Sequence, residues 1–358
     1  MKKILNITSG TSAMNLNNTE VPIKYNLSIG EPAGKPLDNF QVRFFGLLNS
    51  WYNHYSPING LEKLRKQLNP TDPDKVLIGN GSKGLIYTAL LATCEKGDNV
   101  LIIGPCWPSY MEMCKILGLQ IVQYIPEGEG WHCNINEIEK YIKTFDFSLV
   151  IFCNPNNPTG EVSNWDFIHK LCKLCKEYNC WLLADEAYED FVYNIAFYSC
   201  WPATNDNIIC VKTFSKCAAI AGWRLGYCLG PAELIKQMSL IQSQISGPPS
   251  TLVQNFAVSA LKHKVDSKDS IVVRNDYLKI RNYLCSINPL FQKYKPQGGF
   301  YFYIPVKDSK ATFDTLLEHG ILVTPGDEYG VPNTIRLSFA NITLKELKEI
   351  EPYLVAVS

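Results

Sequence analysis

The stretch Thr213-Phe214-Ser215-Lys216 sets a lysine among small and apolar residues, and Arg224 follows eight positions on. Desolvation lowers the pKa of such a lysine and frees its amine to attack a carbonyl. Arg224 offers the planar fork that suits a phosphate. A lysine standing alone is more often a solvated surface group; these neighbours argue for one held for covalent work. Asp185-Glu186-Ala187-Tyr188 closes another apolar run. A carboxylate there lies in a crevice, where it can keep a ring nitrogen protonated and make that ring an electron sink. A helix N-cap would satisfy the same aspartate. In Asn154-Pro155-Asn156-Asn157-Pro158-Thr159-Gly160, prolines and a glycine fix a rigid loop. An asparagine held in it can donate to a phenolic oxygen, although as a turn the loop needs no function.

Gly79-Asn80-Gly81-Ser82-Lys83-Gly84 satisfies the letters G-x-G-x-x-G. A dinucleotide site also requires an acid about 20 residues on, at the end of the next strand. Here Asp98 precedes that strand and Gly104-Pro105 follows it. What survives is the shared physics: free backbone N–H groups at a helix start bind phosphate.

The elements that must position these groups are legible as periodicity. Short apolar runs at 76–78, 100–103, 120–124, 149–152, 181–184 and 208–211 alternate with amphipathic stretches such as 83–94 and 109–117. This pattern predicts an α/β fold with a mainly parallel sheet covered by helices on both faces. Ligands gather beyond the carboxyl ends of such strands, which is where the stretches above fall. After Pro231 come longer helical stretches at 232–244, 252–262 and 270–284, then a shorter α+β tail. We expect an N-terminal arm with part of the small domain (1–45), a large domain (46–245) and a small C-terminal α+β domain (246–358).

Composition narrows the partners. Lys plus Arg balances Asp plus Glu at 34 each, so nothing draws the chain as a whole to nucleic acid or membrane. A small-molecule substrate is the expectation. The N-terminus lacks the apolar run of a signal peptide, and no stretch reaches membrane-spanning length; a cytoplasmic location is expected. Thirteen cysteines read mainly as small buried hydrophobes. Cys172 and Cys175 form a C-x-x-C, but no second pair stands at zinc spacing, so no metal site is expected.

Taken together, the chain resembles the fold-type I pyridoxal-phosphate enzymes of the class I/II aminotransferase group over about 27–340. The resemblance implies that Lys216 holds pyridoxal 5'-phosphate as a Schiff base and then shuttles a proton. It implies that Asp185 pairs with the ring nitrogen and that Asn157 and Tyr188 bond the ring hydroxyl. The phosphate would rest on Gly81, Ser82 and Lys83 with Thr213, Ser215 and Arg224, and Trp107 would stack on the ring. Arg336 would clamp the substrate α-carboxylate, with Asn157 and the arm residue Gly30 beside the substrate. Tyr55 resembles a tyrosine that reaches the partner subunit's phosphate, implying a homodimer with shared sites.

The activity so implied is amino transfer between an L-amino acid and a 2-oxo acid, 2-oxoglutarate being the expected acceptor, by a ping-pong mechanism. A β-lyase, a decarboxylase or a cyclopropane-forming synthase could use the same scaffold. A non-catalytic binding protein is a further alternative, opposed by the intact Lys216, Asp185 and Arg336. The chain departs from the family in a shortened N-terminal stretch, in the unmatched segment 7–20, and at Cys106, where many relatives carry an aromatic. No arginine stands out to serve an acidic substrate side chain.

Overall fold

The structure is a computed structural model that describes residues 21–32, 53–201, 206–264 and 268–358. The segment 7–20 therefore lies outside the described residues. The first strand is β1 (Tyr25–Asn26). Seven more form the main sheet: β2 (Val76–Gly79), β3 (Asn99–Ile103), β4 (Gln120–Tyr124), β5 (Phe147–Cys153), β6 (Trp181–Asp185), β7 (Ile208–Thr213) and β8 (Gly226–Leu229). Their order is β2-β8-β7-β6-β5-β3-β4. All pairs are parallel except those of β8, which runs antiparallel to both β2 and β7.

Every apolar run read from the sequence lies within one of these strands. β8 was not among them. Its four residues, Gly226-Tyr227-Cys228-Leu229, are too short and mixed to give a periodic signal. The finding bears on the G-x-G-x-x-G stretch. A dinucleotide loop follows an inner strand of a parallel sheet, whereas β2 is the sheet's edge and pairs antiparallel.

Side chains alternate across the sheet as the pleat requires. On one face Leu182, Ala184, Val150 and Phe152 pack with Phe167, Ile168 and Leu171 of the helix Trp165–Glu177. On the other, Leu183, Leu149 and Ile151 pack with Leu85 and Ile86 of the helix Gly81–Thr93 and with Tyr110 and Met113 of the helix Pro108–Leu117. Cys175 is fully buried in the first of these cores, as a small hydrophobe would be. Asp185 stands two residues after Leu183, so it shares the face covered by the helix Pro108–Leu117.

After the helices Ala232–Ile245, Thr251–Lys264 and Lys268–Ile287 the chain builds a smaller sheet. It consists of β9 (Tyr301–Pro305), β11 (Thr324–Pro325) and β12 (Thr334–Ser338), antiparallel in the order β11-β12-β9. Beside it, β10 (Ile321–Leu322) pairs parallel with β1, which ties the arm to this sheet. A separate aromatic-rich core lies here, with Leu27, Phe300, Phe302, Ile335 and Leu337, and it reaches back to Tyr188 and Phe191 beyond β6. The helix Thr251–Lys264 instead gives Phe256, Ala257 and Val258 to a core of the main sheet.

Candidate active site

The carboxyl edge of the main sheet meets the arm and the smaller sheet around a cavity of about 470 Å³. Its walls include Gly30, Ser82, Lys83, Trp107, Asn157, Asp185, Tyr188, Thr213, Ser215, Lys216, Arg224 and Arg336. The structure thus brings together nearly all the residues singled out in the sequence. Gly81 adjoins the cavity through Arg224. Tyr55 lies elsewhere, 93% exposed.

One end of the cavity is built from backbone. The helix Gly81–Thr93 starts with no side-chain cap, so its first N–H groups are open to a ligand. Gly81 adopts φ +80°, and a Cβ there would meet the Arg224 guanidinium at 2.5 Å. Only glycine lets that cation lie against the helix start. Arg224 is itself left-handed at φ 57°, and one of its N–H groups donates to the Ala221 carbonyl at 2.8 Å. The Thr213 hydroxyl accepts from the Ser215 N–H at 3.1 Å and so caps the short helix Phe214–Cys217, which carries Lys216. Helix N–H groups, hydroxyls and a guanidinium together form a donor set for a phosphate ester.

The opposite end is built from buried side chains. Asp185 is 4% exposed; its Oδ2 accepts from the Tyr110 hydroxyl at 2.5 Å and its Oδ1 from the Ala187 N–H at 3.1 Å. Burial raises its carboxyl to about 6, against the pull of those two hydrogen bonds. Asn157 donates to the Tyr188 hydroxyl at 3.2 Å, which shares a 3.0 Å hydrogen bond with the Tyr301 hydroxyl. Arg336 donates to Asn157 Oδ1 at 3.0 Å and to the Ser28 carbonyl at 2.5 Å, and its guanidinium lies 4.4 Å from the Tyr301 ring centroid. Among the described residues, Arg336, at 3% exposure, makes these bonds to neutral acceptors only, and its Nε has no partner. A buried guanidinium without a carboxylate is a binding site for one.

Between the two ends stands Lys216, whose ammonium donates to the Gly30 carbonyl. Desolvation lowers its pKa from 10.5 to about 8; Glu31 opposes this, and Arg336 and Arg224 assist it. The approach to the arm is close, since a Cβ on Gly30 would strike the Tyr301 hydroxyl at 1.6 Å. Lys83 lays its ammonium over the Trp107 ring, 4.7 Å from the centroid, and burial lowers its pKa.

Sequence reasoning missed Tyr110 and Tyr301. Tyr110 stands three residues after Trp107, and nothing local marks it as the partner of an aspartate 75 positions on. Tyr301 falls in the α+β tail, where no local pattern sets it apart. No cluster of His, Cys, Asp and Glu able to hold a metal occurs among the described residues.

A desolvated lysine, a buried acid with donors to its charged form and a phosphate-binding helix start, all at the carboxyl edge of an α/β sheet, define an enzyme that works through a phosphorylated carbonyl cofactor. The chain belongs to the class I and II aminotransferase family, whose model matches residues 22–351. It is a pyridoxal-phosphate-dependent aminotransferase of fold type I. Among its relatives, the aspartate/prephenate aminotransferase of Thermus thermophilus is 28% identical over 345 residues, covering 91% of this chain and 89% of that protein. A probable aspartate aminotransferase of Methanocaldococcus jannaschii is 28% identical, covering 88% of each chain. The solved structure of the Thermus thermophilus aspartate aminotransferase with maleate superposes with a TM-score of 0.88 at 26% identity, covering 96% of this chain and 94% of that one. The aromatic aminotransferase of Pyrococcus horikoshii gives 0.86 at 26% identity, covering 96% and 97%.

Proposed function

We propose that the enzyme moves the amino group of an acidic L-amino acid of the aspartate class to a 2-oxo acid, with 2-oxoglutarate as acceptor, in two half-reactions at one site. The observation that carries this reading is Arg336, a buried cation without an acid partner among the described residues, facing the same cavity as Lys216. Bound there, pyridoxal phosphate supplies an aldehyde carbon for the amino group and a ring that accepts an electron pair. The residues present fit it. The backbone N–H groups of Gly81, Ser82 and Lys83, with Thr213, Ser215 and Arg224, would hold the phosphate, Trp107 would cover the ring face, and Asn157 and Tyr188 would bond its hydroxyl. Lys216 would hold the carbonyl carbon.

The side chains then divide the work. Arg336, helped by Asn157 and the arm at Gly30, binds the substrate α-carboxylate and orients its α-carbon. Lys216, with its pKa drawn down to about 8, is neutral in roughly a tenth of molecules at pH 7, far more than an ordinary lysine, and would take the α-proton. The same amine would stand beside the cofactor's carbonyl carbon and could deliver the proton there. Asp185 would hold a proton on the ring nitrogen. Displacing water from this buried end strengthens each of these electrostatic contacts.

Two observations favour an acidic substrate. Lys83 lines the cavity and has no acid partner among the described residues, so its ammonium can take a second carboxylate. The relatives are named for aspartate, and one was solved with maleate, itself a dicarboxylate. A panel of amino donors with 2-oxoglutarate tests the reading. L-aspartate should give the highest kcat/KM, and Lys83→Met should lower it for aspartate more than for a neutral amino acid. A preference for neutral or aromatic donors, unaltered in Lys83→Met, would remove it.

We further propose a cytoplasmic homodimer in which Tyr55 reaches the partner's phosphate, a role that fits its 93% exposure. Light scattering should give twice the chain mass, and Tyr55→Phe should weaken cofactor binding. We take 1–45, 46–245 and 246–358 as arm, large and small domains, with the helix Thr251–Lys264 forming the seam.

A further inference from the structure

The Tyr110–Asp185 hydrogen bond is left unused by the chemistry above. The Ala187 contact to Asp185 is local, two residues along the chain, but the Tyr110 contact joins elements 75 positions apart. Both partners are buried, Asp185 at 4% and Tyr110 at 1% exposure. The hydroxyl is firmly placed. Pro108 opens its helix, and Trp107 packs edge-on against the Tyr110 ring at 5.4 Å and 88°. The sheet's alternation turns Asp185 toward that same helix.

A phenol can donate to a carboxylate or accept from a carboxylic acid, and only the first favours the charged acid. Burial raises the Tyr110 phenol well above its ordinary value, so it keeps its proton and remains a donor. The groups that face Asp185 are few. Glu186 beside it raises its pKa, and Lys216 lowers it. Cys153 on β5 is held neutral by burial. Against the desolvation of Asp185 itself, the Tyr110 hydroxyl is the largest opposing influence.

We propose that Tyr110 is a positioning residue that keeps Asp185 ionised and its Oδ2 fixed, so that Asp185 can hold the proton on the cofactor's ring nitrogen. The inference rests on the role proposed for Asp185 and extends it to a residue to which the sequence reading gave no role. Hydrogen bonds from O–H to a carboxylate at this length are about twice as strong as neutral ones. Tyr110→Phe keeps the ring and removes only the donor.

The test has one arm without cofactor. Infrared difference spectra of the apoprotein, with Asp185→Asn identifying the band, follow the Asp185 carboxyl through its titration. In Tyr110→Phe its midpoint should rise by about one pH unit, the shift expected for losing a net hydrogen bond to a charged group. In the holoenzyme the acid limb of kcat should move up by about one pH unit, so that kcat falls roughly twofold at pH 7 and about tenfold at pH 5, with KM little changed. A folded Tyr110→Phe protein whose Asp185 midpoint stays in place would overturn the proposal, because a purely packing role alters melting without moving that midpoint. If Tyr110→Phe fails to fold, Asp185→Asn should restore folding in the double variant by removing the unpaired charge; no restoration would also overturn it. Absence of cofactor on Lys216 in the wild type would defeat the proposed chemistry, yet the infrared arm would still judge Tyr110.

Discussion

The two ends of the cavity solve different electrostatic problems. At the phosphate end the donors are helix N–H groups, hydroxyls that include the buried Thr213 and Ser215, and an exposed guanidinium, Arg224. At the substrate end, charge is carried by Asp185 and Arg336, at 4% and 3% exposure, each held by neutral hydrogen-bond partners. An exposed cation contributes modestly because solvent screens it. A buried charge is strongly felt by whatever binds it, and costly when a partner is lost. The open end should therefore govern how tightly the cofactor is kept, and the closed end how fast and on what the enzyme acts.

The largest effect is expected at the junction of the two ends. Lys216→Ala should lower turnover by about a thousandfold or more, as loss of a positioned acid–base group does, with the fold unchanged by circular dichroism. Turnover near wild type would break the assignment. Arg336→Ala should raise KM for the amino donor roughly a hundredfold, in line with removing one partner of a buried charge pair. Cofactor affinity should stay within about twofold. Equal loss of both, measured by equilibrium dialysis and initial rates, would erase the contrast between the ends. Arg224→Ala should do the reverse on a smaller scale, weakening cofactor binding about tenfold while leaving KM for the donor nearly constant.

The pH dependence sharpens the same contrast. The Lys216 ammonium is depressed from 10.5 to about 8 in the folded chain. A lysine lowered on folding contributes full stability above its unfolded value and loses it as pH falls through the folded one. Apoprotein stability should therefore gain from this group as pH rises from about 8 to 10.5, and Lys216→Met should flatten the profile there. Uptake of cofactor by apoprotein, followed by stopped-flow absorbance, should accelerate with pH and level off just above 8. Acceleration continuing toward 10.5 would mean a solvated amine.

Much of this was legible in the sequence because the chemistry is written locally. Strand ends, a glycine at a helix start and a lysine after an apolar run each carry their own signal. The six apolar runs mark six of the seven main strands, and β8 escaped because its four residues carry no period. What remained hidden was contact between distant segments. Tyr110 finds Asp185 only through the sheet's alternation and the helix laid over it. Arg336 reaches Asn157 across 179 positions, joining the smaller sheet to the loop after β5. Lys83 was read as part of a phosphate loop, and only the fold shows its ammonium over Trp107. Such pairings depend on how layers stack, which no local pattern encodes.

The central claim is that one desolvated amine between the two ends holds the cofactor covalently. Borohydride reduction of the purified holoenzyme followed by peptide mass mapping tests it most directly. The account predicts the reduced cofactor mass on the peptide containing Lys216 and its absence from that peptide in Lys216→Ala. Cofactor mass on Lys83 or another lysine, or on none, would contradict it.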